Sequence, residues 1–267
     1  MTRTAGAVPR LTDRLLAGVT GIRRAVITPT EDGVVAGTDA LRELAADSRF
    51  GDCEVRCSDG QSVAAGEVLA EIIGTAIELA AAEDAVLGPL GFAGGVARRC
   101  HDIVESAPMG LRIVCGGWKK LPAALKPLLR AGLDAGGVGS RLVDGDFVYI
   151  DKNVVRLLGG VPQAVAAGAL LDNGRFAVQV DSPDGALAAV HAGAGIIMDD
   201  TGDLSVLASI DTALRECGMR DDVVLAFAGG VRPEQLSQIR ECGADVVDLG
   251  RAIIDAPLWD LHLVVQP

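Results

Sequence analysis

A chain of 267 residues with 49% hydrophobic content is long enough for one large α/β domain or two unequal ones, and too apolar to be disordered or fibrous. Its 24 Lys and Arg residues against 36 Asp and Glu leave a net charge of −12, which opposes association with nucleic acid or an anionic membrane and points to a small-molecule partner. No run approaches the roughly 18 apolar residues of a bilayer span, and Met1 to Leu11 lacks a signal-peptide core, so the chain reads as cytoplasmic.

The first pieces in chain order are β-like, at Ala25–Thr28, Gly33–Gly37 and Leu69–Ile73, separated by turn signals such as Asp59-Gly60. An alanine-rich helix is expected from about Ala76 to Ala85. The run from Glu105 to Gly110 carries the proline, glycine and small residues of a linker, which divides an α+β domain at 1–107 from a second domain at 108–267. The division leaves open that the C-terminal tail packs back on the first domain.

Beyond the linker, short apolar runs alternate with helical stretches, the pattern of strand and crossover helix in a parallel sheet or barrel. The expected strands are Leu111–Cys115, Phe147–Ile150, Phe176–Val180, Gly195–Met198, Val223–Ala226 and Val246–Leu249. The expected helices are Pro122–Leu133, Val161–Leu171, Pro183–Ala192 and Pro233–Cys242, several opened by a proline whose missing N–H costs nothing in the first turn. About six βα units favour a barrel over an open sheet.

In such a barrel the carboxyl ends of the strands face the active site. Here they carry Trp118-Lys119-Lys120, Asp151-Lys152-Asn153, Asp181-Ser182 and Asp199-Asp200. Any one of these reads as a solvated loop tip, but four together point to a site. Ala228-Gly229-Gly230 and Leu249-Gly250 follow the last two strands, where glycine turns let backbone N–H groups cradle a phosphate. The six cysteines are scattered without a CxxC pair, and with only 3 histidines they argue against a structural zinc site.

Asp32-Gly33-Val34-Val35-Ala36-Gly37, Gly95-Val96-Ala97, Trp118-Lys119-Lys120-Leu121-Pro122, Gly136 to Arg141, Asp151-Lys152-Asn153-Val154, Val180-Asp181-Ser182, Ile197-Met198-Asp199 and Ala228-Gly229-Gly230 occur in the order of a family's motifs. In them the chain resembles quinolinate phosphoribosyltransferase, the carboxylating nicotinate-nucleotide pyrophosphorylase. The resemblance implies an N-terminal α+β open-faced sandwich and an incomplete α/β barrel, joined in a head-to-tail homodimer with the active site at the subunit interface. It also implies phosphoribosyl pyrophosphate and Mg²⁺ at the barrel mouth, with no nucleic acid and no membrane as partners.

Carried over residue by residue, the resemblance makes Lys119, Arg141, Lys152 and Asp199 catalytic, with Asp199 also the metal carboxylate. Trp118, Ser140, Asp151, Asp84 and Gln179 fall on substrate-binding positions, and Ala228, Gly229, Gly230 and Gly250 on the phosphate cradle. Asp84 stands where the family has an arginine from the partner subunit, Trp118 where it has an arginine, and Asp151 where it has a lysine. Three positive charges lost and two negative ones gained make the acceptor end about five units more negative at full ionisation. Ser140 replaces a histidine, Ala228 a hydroxyl residue, and Gln179 a glutamate that supports metal and ribose. The implied function is phosphoribosyl transfer to a heteroaromatic acceptor other than quinolinate. The alternatives are a repurposed barrel enzyme acting on a phosphorylated sugar or pyridine nucleotide, and a non-catalytic nucleotide-binding homologue.

Overall fold

The computed structural model describes residues 10–171 and 175–267; the start of the chain, read above for a leader, lies outside the described residues. By compactness the chain forms two units: residues up to Arg99 with Ala124–Gly136 and Pro257–Pro267, and Cys100–Ala123 with Gly137–Ala256. This grouping differs from a single cut at residue 107.

The N-terminal part contains α1 (Leu11–Leu16), β1 (Arg23–Pro29), β2 (Gly33–Val34), α2 (Asp39–Ala46), β3 (Asp52–Val55), β4 (Ser62–Val63), β5 (Ala70–Gly74) and α3 (Ala76–Ser106). The expected strand at Gly33–Gly37 shrinks to two residues paired with β4. The expected helix at Ala76–Ala85 instead runs for 31 residues, through Pro89 and the first two positions of the expected linker. Gly91, Gly94 and Gly95 of α3 are packing positions: a Cβ on Gly94 would lie 2.5 Å from the Trp259 ring, so only glycine admits that indole against the helix.

The second unit is built on β6 (Arg112–Val114). After it come α4 (Lys126–Ala135), counted with the first unit, then β7 (Val148–Ile150), α5 (Lys152–Leu158), α6 (Val161–Ala169), β8 (Phe176–Val180), α7 (Pro183–His191), β9 (Ile196–Asp199), α8 (Leu204–Glu216), β10 (Val224–Phe227), α9 (Leu236–Glu241), β11 (Val246–Asp248) and α10 (Gly250–Ile254). All six expected strands are present within a residue or two of their expected limits. The expected helices at Pro122 and Pro233 begin instead as 3-10 turns, at Ala123–Leu125 and Pro233–Gln235, before α4 and α9.

The six strands pair in parallel in the order β6-β11-β10-β9-β8-β7. A closed barrel would join β6 to β7; here β6 instead makes a single bridge, Val114 to Gly139, and the barrel is incomplete. Alternation along the strands sends Val114, Ala177, Ile196, Met198, Ala226 and Val246 into one apolar cluster at the barrel interior. The intervening Ile113, Val178, Ile197, Leu225 and Val247 are buried on the opposite face. Gly168 of α6 meets the Phe176 ring, where a Cβ would approach to 2.9 Å, so the helix lies close on the sheet.

The last strand, β12 (Leu261–Val265), pairs antiparallel with β1 and completes the sheet order β12-β1-β5-β3 in the first unit. Trp259 leads into it, 3% exposed, with its Nε1 donating to Glu31 O at 3.1 Å. No helix among the described residues is long and apolar enough to cross a membrane.

Candidate active site

The carboxyl ends of the six strands enclose a cavity of about 770 Å³, all of whose lining residues belong to the second unit. The alternation that fills the barrel with apolar side chains places Gln179, Asp200, Ala228 and Asp248 at its mouth, each two residues beyond an interior position, and Gly250 joins them from the start of α10.

Lys119 occupies the centre of one wall. Its Nζ lies 3.5 Å from Asp151 Oδ2, 5.1 Å from the Tyr149 ring centroid and 6.0 Å from that of Trp118. Asp151 is also the N-cap of α5, its Oδ1 accepting from the N–H groups of Asn153 and Val154 at 3.0 Å each. Those backbone donors, the one from Val154 foremost, hold its carboxyl below the usual range, with Lys119 assisting.

Gln179 joins two strand ends. Its Oε1 accepts from the Lys152 N–H at 3.0 Å and its Nε2 donates to Asp200 Oδ2 at 3.2 Å. Arg141 lines the cavity too, but its Nη1 donates to Gly145 O at 3.0 Å and to Asp146 Oδ1 at 3.3 Å.

The last strand end holds a buried carboxyl. Asp248 Oδ1 accepts from the N–H groups of Gly116 at 2.8 Å and Gly250 at 2.9 Å. Burial pushes its pKa up against the pull of those two donors, and the charge of Asp200 adds to the rise while Lys120 opposes it. Tyr149 is likewise pushed up by burial and then by Asp200, Asp248 and Asp151, so its phenol stays protonated. Gly229 and Gly230 follow β10 with φ of 106° and 76°, a left-handed pair that bends the chain around the mouth.

Of the residues expected at the site, Trp118, Lys119, Ser140, Arg141, Asp151, Lys152, Gln179, Ala228, Gly229, Gly230 and Gly250 all line this cavity. Asp199 does not. It is 0% exposed, its Oδ1 accepts from the Thr201 N–H at 2.9 Å, and its Oδ2 has no hydrogen-bond partner among the described residues. The cause is the two-residue period: Met198 and Asp200 face the cavity, so Asp199 faces away and its carboxyl is pushed up chiefly by desolvation. Asp84, on α3, is also absent from the lining; it is exposed, and Arg10 Nη1 lies 2.5 Å from its Oδ2. Gly250 reaches the mouth, but its N–H is taken by Asp248 rather than open to a phosphate. Asp248 and Tyr149 are lining residues not named at the site from the sequence, and Asp200 and Lys120 are lining residues placed there at strand ends without a role; counting each strand in steps of two from its apolar interior residues would have found Asp200, Asp248 and Tyr149.

Two family models match the chain: the N-terminal domain of quinolinate phosphoribosyl transferase over residues 12–93 and its C-terminal domain over residues 96–264. A probable nicotinate-nucleotide pyrophosphorylase (carboxylating) of Methanothermobacter thermautotrophicus is 27% identical over 252 residues, 90% of this chain and 87% of that protein. One of the same description from Archaeoglobus fulgidus is 25% identical over 243 residues, covering 90% and 93%. Among solved structures, the nicotinate-nucleotide pyrophosphorylase of Ehrlichia chaffeensis superposes with a TM-score of 0.82 at 20% identity, over 96% of this chain and 91% of that one. That of Francisella tularensis gives 0.81 at 22% identity, over 97% and 91%. The two solved structures bear on the fold alone.

Proposed function

The chain belongs to the quinolinate phosphoribosyltransferase family, and from that membership we propose a nicotinate-nucleotide pyrophosphorylase-like phosphoribosyltransferase whose heteroaromatic acceptor is not quinolinate. The observation that carries the choice of acceptor is the disposition of Arg141. By the resemblance it is what remains of the family's acceptor-binding cations, and it is engaged by Gly145 O and Asp146. Lys119 is paired with Asp151, and Asp200 and Asp248 face the same space. A dicarboxylate entering there meets like charge in a confined site, at a cost of several kcal/mol, on the order of 10³-fold in affinity.

The donor side is supported by Lys119, Lys120, Lys152 and Arg251 around the mouth and by the glycine turn after β10. These cations and the open side of Gly230 suit phosphate and pyrophosphate groups. In the transfer, the lone pair of the acceptor ring nitrogen forms a bond to ribose C1 as the C1–oxygen bond to pyrophosphate breaks, the electron pair leaving on that oxygen. Positive charge develops on the ribose and then on the ring. Asp200 and Asp248 are fixed where they stabilise that charge, and Trp118 offers a face to the cationic ring.

Mg²⁺, implied by the resemblance, would find three cavity carboxyls, each already engaged: Asp151 by Lys119, Asp200 by the Gln179 amide, and Asp248 by the Gly116 and Gly250 N–H groups. The metal role expected for Asp199 is not available to a carboxyl turned away from the cavity. That donor set suits an ion brought in on the donor's pyrophosphate and held mainly by phosphate oxygens and water. A homodimer in the cytoplasm belongs to the same proposal. In it Asp84, already satisfied by Arg10, is the side chain one subunit would lend the other.

The test is pyrophosphate release from phosphoribosyl pyrophosphate, with and without Mg²⁺, in the presence of quinolinate or of uncharged nitrogen heterocycles. Release with an uncharged ring and none with quinolinate is expected. Carbon dioxide evolved from quinolinate overturns the acceptor, and no donor binding under any condition overturns the transferase.

A further inference from the structure

We propose that Asp248 is the specificity-determining residue of the cavity and that it selects an acceptor bearing an N–H donor, a heteroaromatic carboxamide or amine, over the corresponding carboxylate. The inference rests on the transferase reading above and names the class of acceptor within it.

Each polar group at the cavity floor has a limited set of hydrogen bonds still to offer. Asp248 Oδ1 is satisfied by the Gly116 and Gly250 N–H groups, which fix the plane of the carboxyl against two backbone segments. Oδ2 accepts no hydrogen bond among the described residues, and the residue lines the cavity. Asp200, whose charge acts on Asp248, has one oxygen committed to Gln179, and Gln179 has its carbonyl oxygen committed to Lys152. The floor therefore presents carboxylate oxygens and the Tyr149 hydroxyl, with Lys120 acting on Asp248 against the charge of Asp200 and with Lys119 held against the aromatic rings of the wall.

A ligand that matches an acceptor-rich floor must supply donors. A carboxamide or an amino group offers two N–H bonds, whereas a carboxylate offers none and adds a charge beside Asp200 and Asp248. The ring that carries the group can lie against Trp118 or Tyr149 by the same face attraction that holds the Lys119 ammonium. Gly116 explains why the carboxyl is admitted at all, because it has no room for a side chain against Asp248 Oδ2.

The experiment compares nicotinamide with nicotinate, which differ only in amide against carboxylate. Binding of each to the full-length protein is measured by calorimetry in the presence of phosphoribosyl pyrophosphate, for the wild type and for Asp248→Asn. The wild type is expected to favour the amide at least about tenfold, because the carboxylate is repelled where the amide donates. Asp248→Asn, which can itself donate to a carboxylate, is expected to bring that ratio to about one or to reverse it. A purely structural role, accepting from Gly116 and Gly250, would weaken both ligands equally and leave the ratio unchanged, and that result overturns the proposal. So does wild-type binding with no preference, or binding of neither ring while the donor still binds. Failure of phosphoribosyl pyrophosphate itself to bind overturns the transferase reading, which keeps the two failures distinct. Should Asp248→Asn not fold, Asp200→Asn and the pH dependence of the wild-type ratio supply the comparison. The ratio must fall toward acid if Asp248 sets it, and a ratio that ignores pH counts against the idea.

Discussion

Gln179 and Asp200 are joined by an amide-to-carboxylate hydrogen bond, Nε2 to Oδ2 at 3.2 Å, and the other end of the Gln179 amide is fixed by the Lys152 N–H at 3.0 Å. A glutamate there would keep the bond from Lys152 and lose the one to Asp200, placing two carboxylates side by side. Gln179→Glu is expected to lower the melting temperature by a few degrees, corresponding to roughly 1–2 kcal/mol, and Mg²⁺ should restore it. Thermal scans with and without Mg²⁺ check this; a variant as stable as wild type and indifferent to the ion removes the carboxylate-pair argument.

The fold was legible because its signals are local and repeated. Apolar runs of four or five residues mark all six strands of the barrel, from Arg112–Val114 to Val246–Asp248, and prolines mark several of the helices between them. The long helix was underread, its expected end at Ala85 falling short of Gly91, Gly94 and Gly95. Their meaning lies in contacts with Pro257 and Trp259, more than 160 residues away in the numbering. Most expected cavity residues sit at the mouth, yet the motif comparison chose Asp199 where side-chain alternation brings Asp200 inward. Order along a motif says which residues are near a site; the two-residue period of the strand says which of them face it.

Lys119→Met should separate charge from bulk. The methionine keeps contact with Trp118 and Tyr149 but leaves Asp151 without its lysine partner. Because Lys119 is half exposed, stability should change by no more than about 1 kcal/mol. The dissociation constant for phosphoribosyl pyrophosphate should instead rise about ten- to a hundredfold, as for loss of a charge-assisted phosphate contact. An unchanged constant by calorimetry would remove Lys119 from the donor site.

Asp151 carries two functions that different substitutions divide. As the α5 N-cap it accepts from Asn153 and Val154, so Asp151→Ala should cost about 1 kcal/mol, whereas Asp151→Asn keeps a capping oxygen and should cost less. Its folded pKa is depressed, so its ionised form contributes stability above the ordinary carboxyl pKa, and the contribution is lost as pH falls through the lower folded value. The stability gap between wild type and Asp151→Asn should therefore narrow in strong acid, as urea titrations across that window would reveal.

Asp248 has the opposite sign. Burial raises its folded pKa, so the native state holds the proton more tightly than the unfolded chain, and stability from this group is complete below the ordinary carboxyl pKa. It is lost as pH rises through the raised value. Asp248→Asn should abolish that part of the pH slope and be relatively more stable at neutral pH. The counter-effect is the loss of a strong acceptor for Gly116 and Gly250, so the slope, not the absolute stability, is the diagnostic quantity.

The glycine pair after β10 offers the sharpest contrast, because its two members have the same backbone hand and different surroundings. Both have positive φ, 106° at Gly229 and 76° at Gly230, so alanine is strained at either. At Gly229 an added Cβ would run into the Gly202 backbone, which is itself tied to this turn by its N–H donating to Ala228 O at 3.0 Å. At Gly230 the Cβ would meet nothing within 4 Å. Gly230→Ala is thus expected to cost about 1 kcal/mol, the conformational penalty alone. Gly229→Ala should cost several kcal/mol, because two backbone segments must part and the turn that bends around the mouth goes with them. Donor binding follows the same order: Gly230→Ala should retain it within about tenfold, whereas Gly229→Ala should lose it wherever the protein is still folded. Equal effects of the two alanines, on melting temperature and on the dissociation constant, would mean that the Gly202–Gly229 contact does not shape the phosphate side of the cavity.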